Sequence, residues 1–287
     1  MPNTVLILGP TGRFGRHTAD AFAARGWLVR RFDRKTDRLT TAAKGVDVII
    51  AGWNPPYQEW AAQLPALHAQ IRRAALDNDA TVILPGNVYV FGPKAPGPWA
   101  ADTPHLATNP LGRIRQNLES AYRRDGVKTI LLRAGDFLDT QPSGNWFDRM
   151  MAKSLPRGRL SYPGHTDRDH AWAYLPDVAR AAVELADMRA RLARFEDIPF
   201  PGFTWTGDQM AQVLTRVMGR PIQARRMSWL PLLMAWPFMR MIRHLFEMRY
   251  LWNLPHSLDG SRFSQLLPDF PMTPADKALA AATAHLR

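Results

Sequence analysis

The sequence predicts an α/β protein: a doubly wound parallel sheet followed by a small, mainly helical C-terminal lobe. Three observations predict it. Short continuous apolar runs such as Val5-Leu6-Ile7-Leu8 recur along the first half of the chain, the pattern of strands buried on both faces. Segments of helical period lie between them, and such alternation implies parallel pairing through right-handed crossovers. A glycine-rich turn, Gly9-Pro10-Thr11-Gly12-Arg13-Phe14-Gly15, joins the first apolar run to the first helix.

Taken in order, Val5–Leu8 is the first strand, and Arg16 to Arg25 is an Ala-rich helix closed by Gly26. Trp27 to Phe32 is the second strand, and Ala42 to Lys44 ends a short helix. Val46 to Ile50 is the third strand. Trp60 to Asp77 is a long helix with Leu64, Leu67, Ile71 and Leu76 on one face. Thr81 to Leu84, Arg113 to Arg124 and Thr129 to Leu132 continue as strand, helix and strand. Only roughly a dozen residues separate the second and third strands, so one βα unit is missing or vestigial. From Ala134 the pattern loosens around Pro142, Pro156 and Pro163, and the last hundred or so residues read as largely helical. The expected division is a dinucleotide-binding domain over 1–135, to which a helix near 177–190 returns, and a lobe over 136–287.

Composition narrows the chemistry. The 287 residues include 37 Lys+Arg against 25 Asp+Glu, a formal charge of +12, with 46% hydrophobic residues and no Cys. A core can be buried, so dominant disorder is excluded. Disulfide scaffolds, thiolate metal sites and cysteine nucleophiles are excluded too. The basic residues are spread without a run of five like charges, which reads as a solvated basic surface or a site for a phosphate-bearing ligand, not a nucleic-acid partner. The N-terminus has no basic leader, and the most apolar stretch, Trp229–Met239, is eleven residues with Pro231 and Pro237. A membrane span needs about 20. The expectation is a cytoplasmic protein with no membrane span.

The glycine turn carries the strongest chemical signal. Glycines at Gly9, Gly12 and Gly15 permit a tight turn, close backbone approach to a pyrophosphate and close helix–strand packing. The helix N-terminus around Thr11, Arg13 and Phe14 then offers free N–H groups and a partial positive charge. Asp33 lies 24 residues after Gly9, where an acid accepts the ribose hydroxyls of NAD. Arg34 stands beside it and suits the extra phosphate of NADP, so both cofactors stay open, with NAD preferred.

The spacing Gly-x-x-Gly-x-x-Gly resembles the extended and atypical branches of the short-chain dehydrogenase/reductase superfamily, in particular the NAD-dependent epimerase/dehydratase group. Asp47-Val48-Ile49-Ile50-Ala51-Gly52 is similar to that group's fourth strand, with Ala51 and Gly52 in the turn beside the cofactor. Val88-Tyr89-Val90-Phe91-Gly92-Pro93 resembles the segment after its fifth strand. Ala173-Tyr174-Leu175-Pro176-Asp177-Val178-Ala179 resembles a later helix start. The resemblance implies a Rossmann domain, NAD(P) and a small-molecule substrate, of which nucleotide sugars are the family's commonest theme.

It also exposes a departure. The family uses a Ser or Thr and a Tyr-x-x-x-Lys pair, the Tyr as acid/base and the Lys lowering its pKa. Here the Ser/Thr position falls on Asn87, the Tyr on Leu111 and the Lys on Arg115. Leucine cannot transfer a proton. Asn87 is left to hydrogen-bond substrate, Arg115 to hold the ribose and the positive charge, and Tyr89 and Tyr57 become the candidate acids. Two functions follow: a redox enzyme of epimerase or reductase type with a relocated proton donor, or a non-catalytic NAD(P)-responsive regulator. Two further segments stand out. His165-Thr166-Asp167-Arg168-Asp169-His170 reads as a loop lining the substrate cleft, with a metal site as the alternative. Trp229–Trp252, with Met234, Met239, Met241 and Met248, reads as a lobe core helix or homodimer surface, with an interfacial membrane helix as the alternative.

Overall fold

The architecture, taken from a computed structural model, is described for residues 2–235 and 239–286. Within the apolar Trp229–Met239 stretch, Trp236, Pro237 and Phe238 lie outside the described residues. The chain begins with β1 (Thr4–Leu8), α1 (Arg13–Ala24), β2 (Leu28–Phe32), α2 (Leu39–Ala42), β3 (Val48–Ala51), α3 (Trp60–Asp77), β4 (Thr81–Gly86), α4 (Pro110–Arg124) and β5 (Thr129–Arg133). It continues with β6 (Asp136–Leu138), β7 (Arg159–Tyr162), β8 (His170–Tyr174), α5 (Leu175–Asp187) and β9 (Phe195–Pro199). The central sheet is parallel in the order β2-β1-β3-β4-β5-β9.

Alternation along each strand sorts side chains to two layers. Leu6, Ile49, Val82 and Leu131 face α3 and α4, packing with Trp60, Leu64, Ile71 and Tyr122. Val5, Ile50, Ile83 and Ile130 face α1 and α5, packing with Phe22, Val178 and Leu185. A sheet covered on both faces needs such two-sided apolar strands. The missing βα unit is confirmed: α2 has four residues, and β2 is left as an edge strand with Leu28 half exposed. Strand order therefore reverses between β1 and β3, and a crevice opens at their C-terminal ends.

Two expectations need correction. Leu76 is 49% exposed, whereas Leu64, Leu67 and Ile71 are buried. Twelve residues at 3.6 per turn leave Leu76 about 120° around the helix from Leu64, off the buried stripe. The stretch read as helical also contains β9, so the Rossmann domain regains a strand as well as α5 from beyond residue 135. Its sequence, Phe-Glu-Asp-Ile-Pro, hides the strand, because two acids and a proline break the apolar pattern.

Those acids are buried because arginines meet them. Arg133 on β5 is wholly buried; its Nη2 donates to Asp197 Oδ2 at 2.6 Å and to Glu119 Oε2 at 2.8 Å. Glu196 accepts from Arg262 Nε at 2.7 Å. A buried guanidinium shared between two carboxylates is tolerable only when its donors are filled, and Arg133 Nη1 also reaches the Asn87 carbonyl at 2.6 Å.

The lobe takes β10 (Phe203–Trp205), α6 (Gly207–Met218), β11 (Gln223–Arg226), α7 (Leu230–Ala235), α8 (Arg240–Glu247) and α10 (Ala275–Ala282), whereas α9 (Ser261–Leu266) packs through Phe263 into the core of the central sheet. Besides its helices the lobe carries two small sheets, β10-β8-β6 and β11-β7, over a separate apolar core including Tyr162, Trp172, Leu214, Trp252 and Leu279. No helix among the described residues is long and apolar enough to cross a membrane.

Two buried histidines make folding sensitive to acid. Burial, together with nearby Arg115 and Arg72, pushes His68 down to about 3; burial and His170 do the same to His256. Unfolded, each returns to about 6.5 and binds a proton that the folded state refuses. Stability is therefore expected to fall as pH drops below about 6.5, by up to about 1.4 kcal/mol per pH unit for each histidine. Urea unfolding between pH 7 and pH 5, with His68→Gln and His256→Gln each removing part of the slope, checks this.

Candidate active site

At the switch point three backbones converge. Gly9 has φ +74°, and a Cβ there would meet the Gly52 carbonyl oxygen at 3.0 Å. A Cβ at Gly15 would lie 2.1 Å from Gly9 O, and one at Gly52 would lie 2.8 Å from Leu8 O. These glycines let β1, α1 and β3 touch. Gly12 differs: its Cβ would meet Gly9 O at 3.2 Å and then only Gly52 O at 3.9 Å, and Gly12 faces the crevice. α1 begins there with no capping side chain and no acid in its first turn. Its first N–H groups are thus left for an anion or water.

The crevice is a cleft of about 830 Å³. Thr11, Gly12, Arg13 and Phe14 line one end, together with Ala51 and Gly52 from the end of β3. Asn87, Tyr89, Tyr57 and Arg115 line the interior, so the four proposed catalytic residues come together. Asp33 and Arg34 follow β2 and are exposed rather than among the lining residues. One Asp33 oxygen accepts from Lys35 N at 2.9 Å, while the Arg34 guanidinium sits 5.2 Å from the ring centroid of Trp53, which does line the cleft.

The two candidate acids form one unit. Tyr57 Oη and Tyr89 Oη are 2.6 Å apart. Tyr57 is fixed by an edge contact with Trp60, ring centroids 5.0 Å apart; Tyr89 is fixed by its own N–H, which donates to Asn87 Oδ1 at 3.1 Å. Burial pushes both phenols up, and the Asp136 charge adds to it, so both stay protonated across the neutral range. Arg115 is nearly buried; Nη2 donates to the Pro85 carbonyl at 2.6 Å, and its buried Nε has no partner in the chain. Leu111 is 1% exposed and packs in the α3–α4 layer, away from the cleft lining.

Sequence reasoning missed Asp136. It directly follows Gly135 beyond the C-terminal end of β5, which is where ligands bind in such sheets, and that position was the available signal. Its carboxylate faces the cleft and accepts from His170 Nε2 at 2.8 Å. His170 is buried and stacked on Trp252, centroids 4.2 Å apart and planes 2° apart. This corrects the reading of residues 165–170. His165, Asp167 and Asp169 are exposed, only His170 is buried, and none lines the cleft. Side chains of adjacent loop residues diverge, so no ligand set forms from them. The outer wall is built instead by the 141–150 segment and by α7 and α8, including Trp146, Met150, Leu232, Ile242 and Leu245.

No protein-family model and no curated protein matches this chain. Solved structures share its fold. MoeE5 in complex with UDP-glucose and NAD matches with a TM-score of 0.73 at 15% identity, over 100% of this chain and 99% of that one. A variant UDP-glucuronic acid 4-epimerase from Bacillus cereus, in complex with UDP-4-deoxy-4-fluoro-glucuronic acid and NAD, matches at 0.72 and 15%, over 99% and 98%. An apo GalE-like L-threonine dehydrogenase from Cupriavidus necator matches at 0.74 and 18%, over the whole of both chains. At these identities the likeness is one of fold.

The glycines separate packing from ligand roles. Gly15→Ala drives a methyl into the Gly9 backbone and is expected to destabilise the protein by more than about 2 kcal/mol in urea unfolding. Gly12→Ala is expected to cost less than about 1 kcal/mol, because only one carbonyl need shift. Equal costs at the two positions would contradict this division.

Proposed function

We propose that the protein is a cytoplasmic NAD(P)-dependent oxidoreductase or epimerase-like enzyme acting on a small molecule, with NAD as the preferred cofactor. One observation carries the reading. A single cleft holds the uncapped α1 N-terminus at Gly12 at one end and the Tyr57–Tyr89 hydroxyl pair in its interior. The residues present fit a dinucleotide: free helical N–H groups and a glycine facing the cleft suit a pyrophosphate, and Asp33 beside the second strand suits ribose hydroxyls. The NAD reported with MoeE5 and with the Bacillus cereus epimerase supports the same reading.

When bound, a nicotinamide supplies or takes up a hydride. The chain's own contribution is proton management. Tyr57 and Tyr89, held protonated by burial, donate to a substrate oxygen that gains charge, and the second hydroxyl stabilises the first after transfer. Asp136, oriented by His170, offers the cleft a carboxylate that accepts a proton or hydrogen-bonds a substrate hydroxyl. Arg115 keeps a fixed positive charge in the place where the resembled family has lysine.

Titration calorimetry with NADH and NADPH should show binding to the wild type and none to Gly12→Val, whose branched side chain fills the pyrophosphate side of the cleft. Wild type should reduce at least one member of a panel of sugar nucleotides and small ketones. Tyr89→Phe or Tyr57→Phe should lower that kcat by about 10²–10⁴-fold. Tight cofactor binding with no turnover on the panel would support the regulator instead, and turnover undiminished in both variants would discard the two acids.

A further inference from the structure

Four of the seven exposed large apolar side chains among the described residues fall between positions 230 and 239: Leu230, Leu233, Met234 and Met239, at 60, 51, 70 and 54% exposure. Scattered exposed leucines are ordinary, whereas a contiguous patch marks an interaction surface. The surrounding charge identifies the partner. From Gln209 to Phe246 the chain has six Arg and no Asp or Glu. Of these arginines, Arg225 and Arg226 on β11 and Arg243 on α8 are exposed. The nearest acid on these helices, Glu247 at the end of α8, is taken up by Asn109 Nδ2 and Leu111 N. The exposed charge that α7, α8 and β11 themselves carry beside the apolar ridge is therefore cationic, which is complementary to a surface with an apolar interior and anionic headgroups.

We infer that α7, α8 and the adjoining end of β11 dock onto a bilayer carrying acidic lipids. The ridge sinks to the acyl boundary and the arginines meet the lipid phosphates. The attachment is peripheral, since no described helix is long and apolar enough to cross. It also has a geometric consequence. Leu232, Ile242 and Leu245 on the same two helices line the cleft, and Met239 both lines it and is exposed. Docking therefore sets the apolar wall of the cleft mouth at the headgroup layer, within reach of a molecule partitioned there.

The test is co-sedimentation of the full chain with vesicles of phosphatidylcholine alone and of phosphatidylcholine with phosphatidylglycerol, at low and high salt. Binding is expected only with phosphatidylglycerol and is expected to weaken with salt. Leu233→Glu/Met234→Glu should abolish it. Arg225→Glu/Arg226→Glu should weaken it by roughly tenfold or more. Leu233 and Met234 lie outside the cleft lining and are exposed, so thermal unfolding and cofactor titration of their variant should match wild type. No sedimentation of wild type with acidic vesicles overturns the inference, and so does binding that survives the double substitution. A wild-type dimer that ignores vesicles and is split by Leu233→Glu/Met234→Glu would make the face a contact between two copies of the chain, and would overturn it as well.

Discussion

Everything in the cleft is referenced to one close approach of three backbones. β1, the start of α1 and the turn after β3 meet with carbonyl oxygens where side chains would otherwise stand: Gly15 against Gly9, and Gly52 against Leu8. Hard-sphere repulsion gives this contact almost no tolerance, so it fixes the direction of α1 relative to the sheet. Because the strand order reverses at that point, the fixed helix end faces an open crevice rather than a neighbouring crossover. Gly12, the least crowded glycine of the turn, is also the one that faces the crevice.

A second constraint holds the opposite side. Arg133 is buried with no access to water, so its charge is tolerable only while Glu119, Asp197 and the Asn87 carbonyl all stay in place. Those partners come from α4, from β9 and from the loop after β4. One guanidinium thus locks the last sheet strand to the segment that carries Asn87 and Tyr89. Asn87 spends its side-chain oxygen on the Tyr89 N–H and its carbonyl on Arg133, so it acts first as a hinge pin for Tyr89.

Legibility followed from how local each determinant is. The strands β1, β3, β4 and β5 and the glycine turn are encoded by runs a few residues long and α3 by its apolar period, and each was legible as an element, with Leu76 alone misplaced on the helix face. Tyr57 and Tyr89 were readable as candidates from their place after strand ends, but not as a hydrogen-bonded pair, because 32 residues separate them. β9 was hidden since Glu196 and Asp197 are compatible with burial only through Arg262 and Arg133, which are distant in sequence. The His165–His170 loop misled for the same reason: six polar residues adjacent in sequence look like a site, yet a loop turns them in different directions, and His170 alone finds Asp136.

The lobe is fastened to the sheet domain at the first turn of α4, where Leu111 stands. Asn109 caps α4 with no side-chain hydrogen bond to its own helix; instead Glu247, at the end of α8, accepts from Leu111 N at 2.6 Å and from Asn109 Nδ2 at 2.8 Å. A carboxylate at a helix N-terminus is favourable, so this contact pins α8 onto α4. It brings His244 to 6.4 Å from the Tyr57 ring and encloses the hydroxyl pair. A tyrosine at position 111 would have to share the buried layer that Leu111 now fills. With α8 drawn in over the first turn of α4, the hydroxyls that reach the cleft come from the segments after β3 and β4. Glu247 thus ties the position of α8, and with it His244 beside Tyr57, to the first turn of α4.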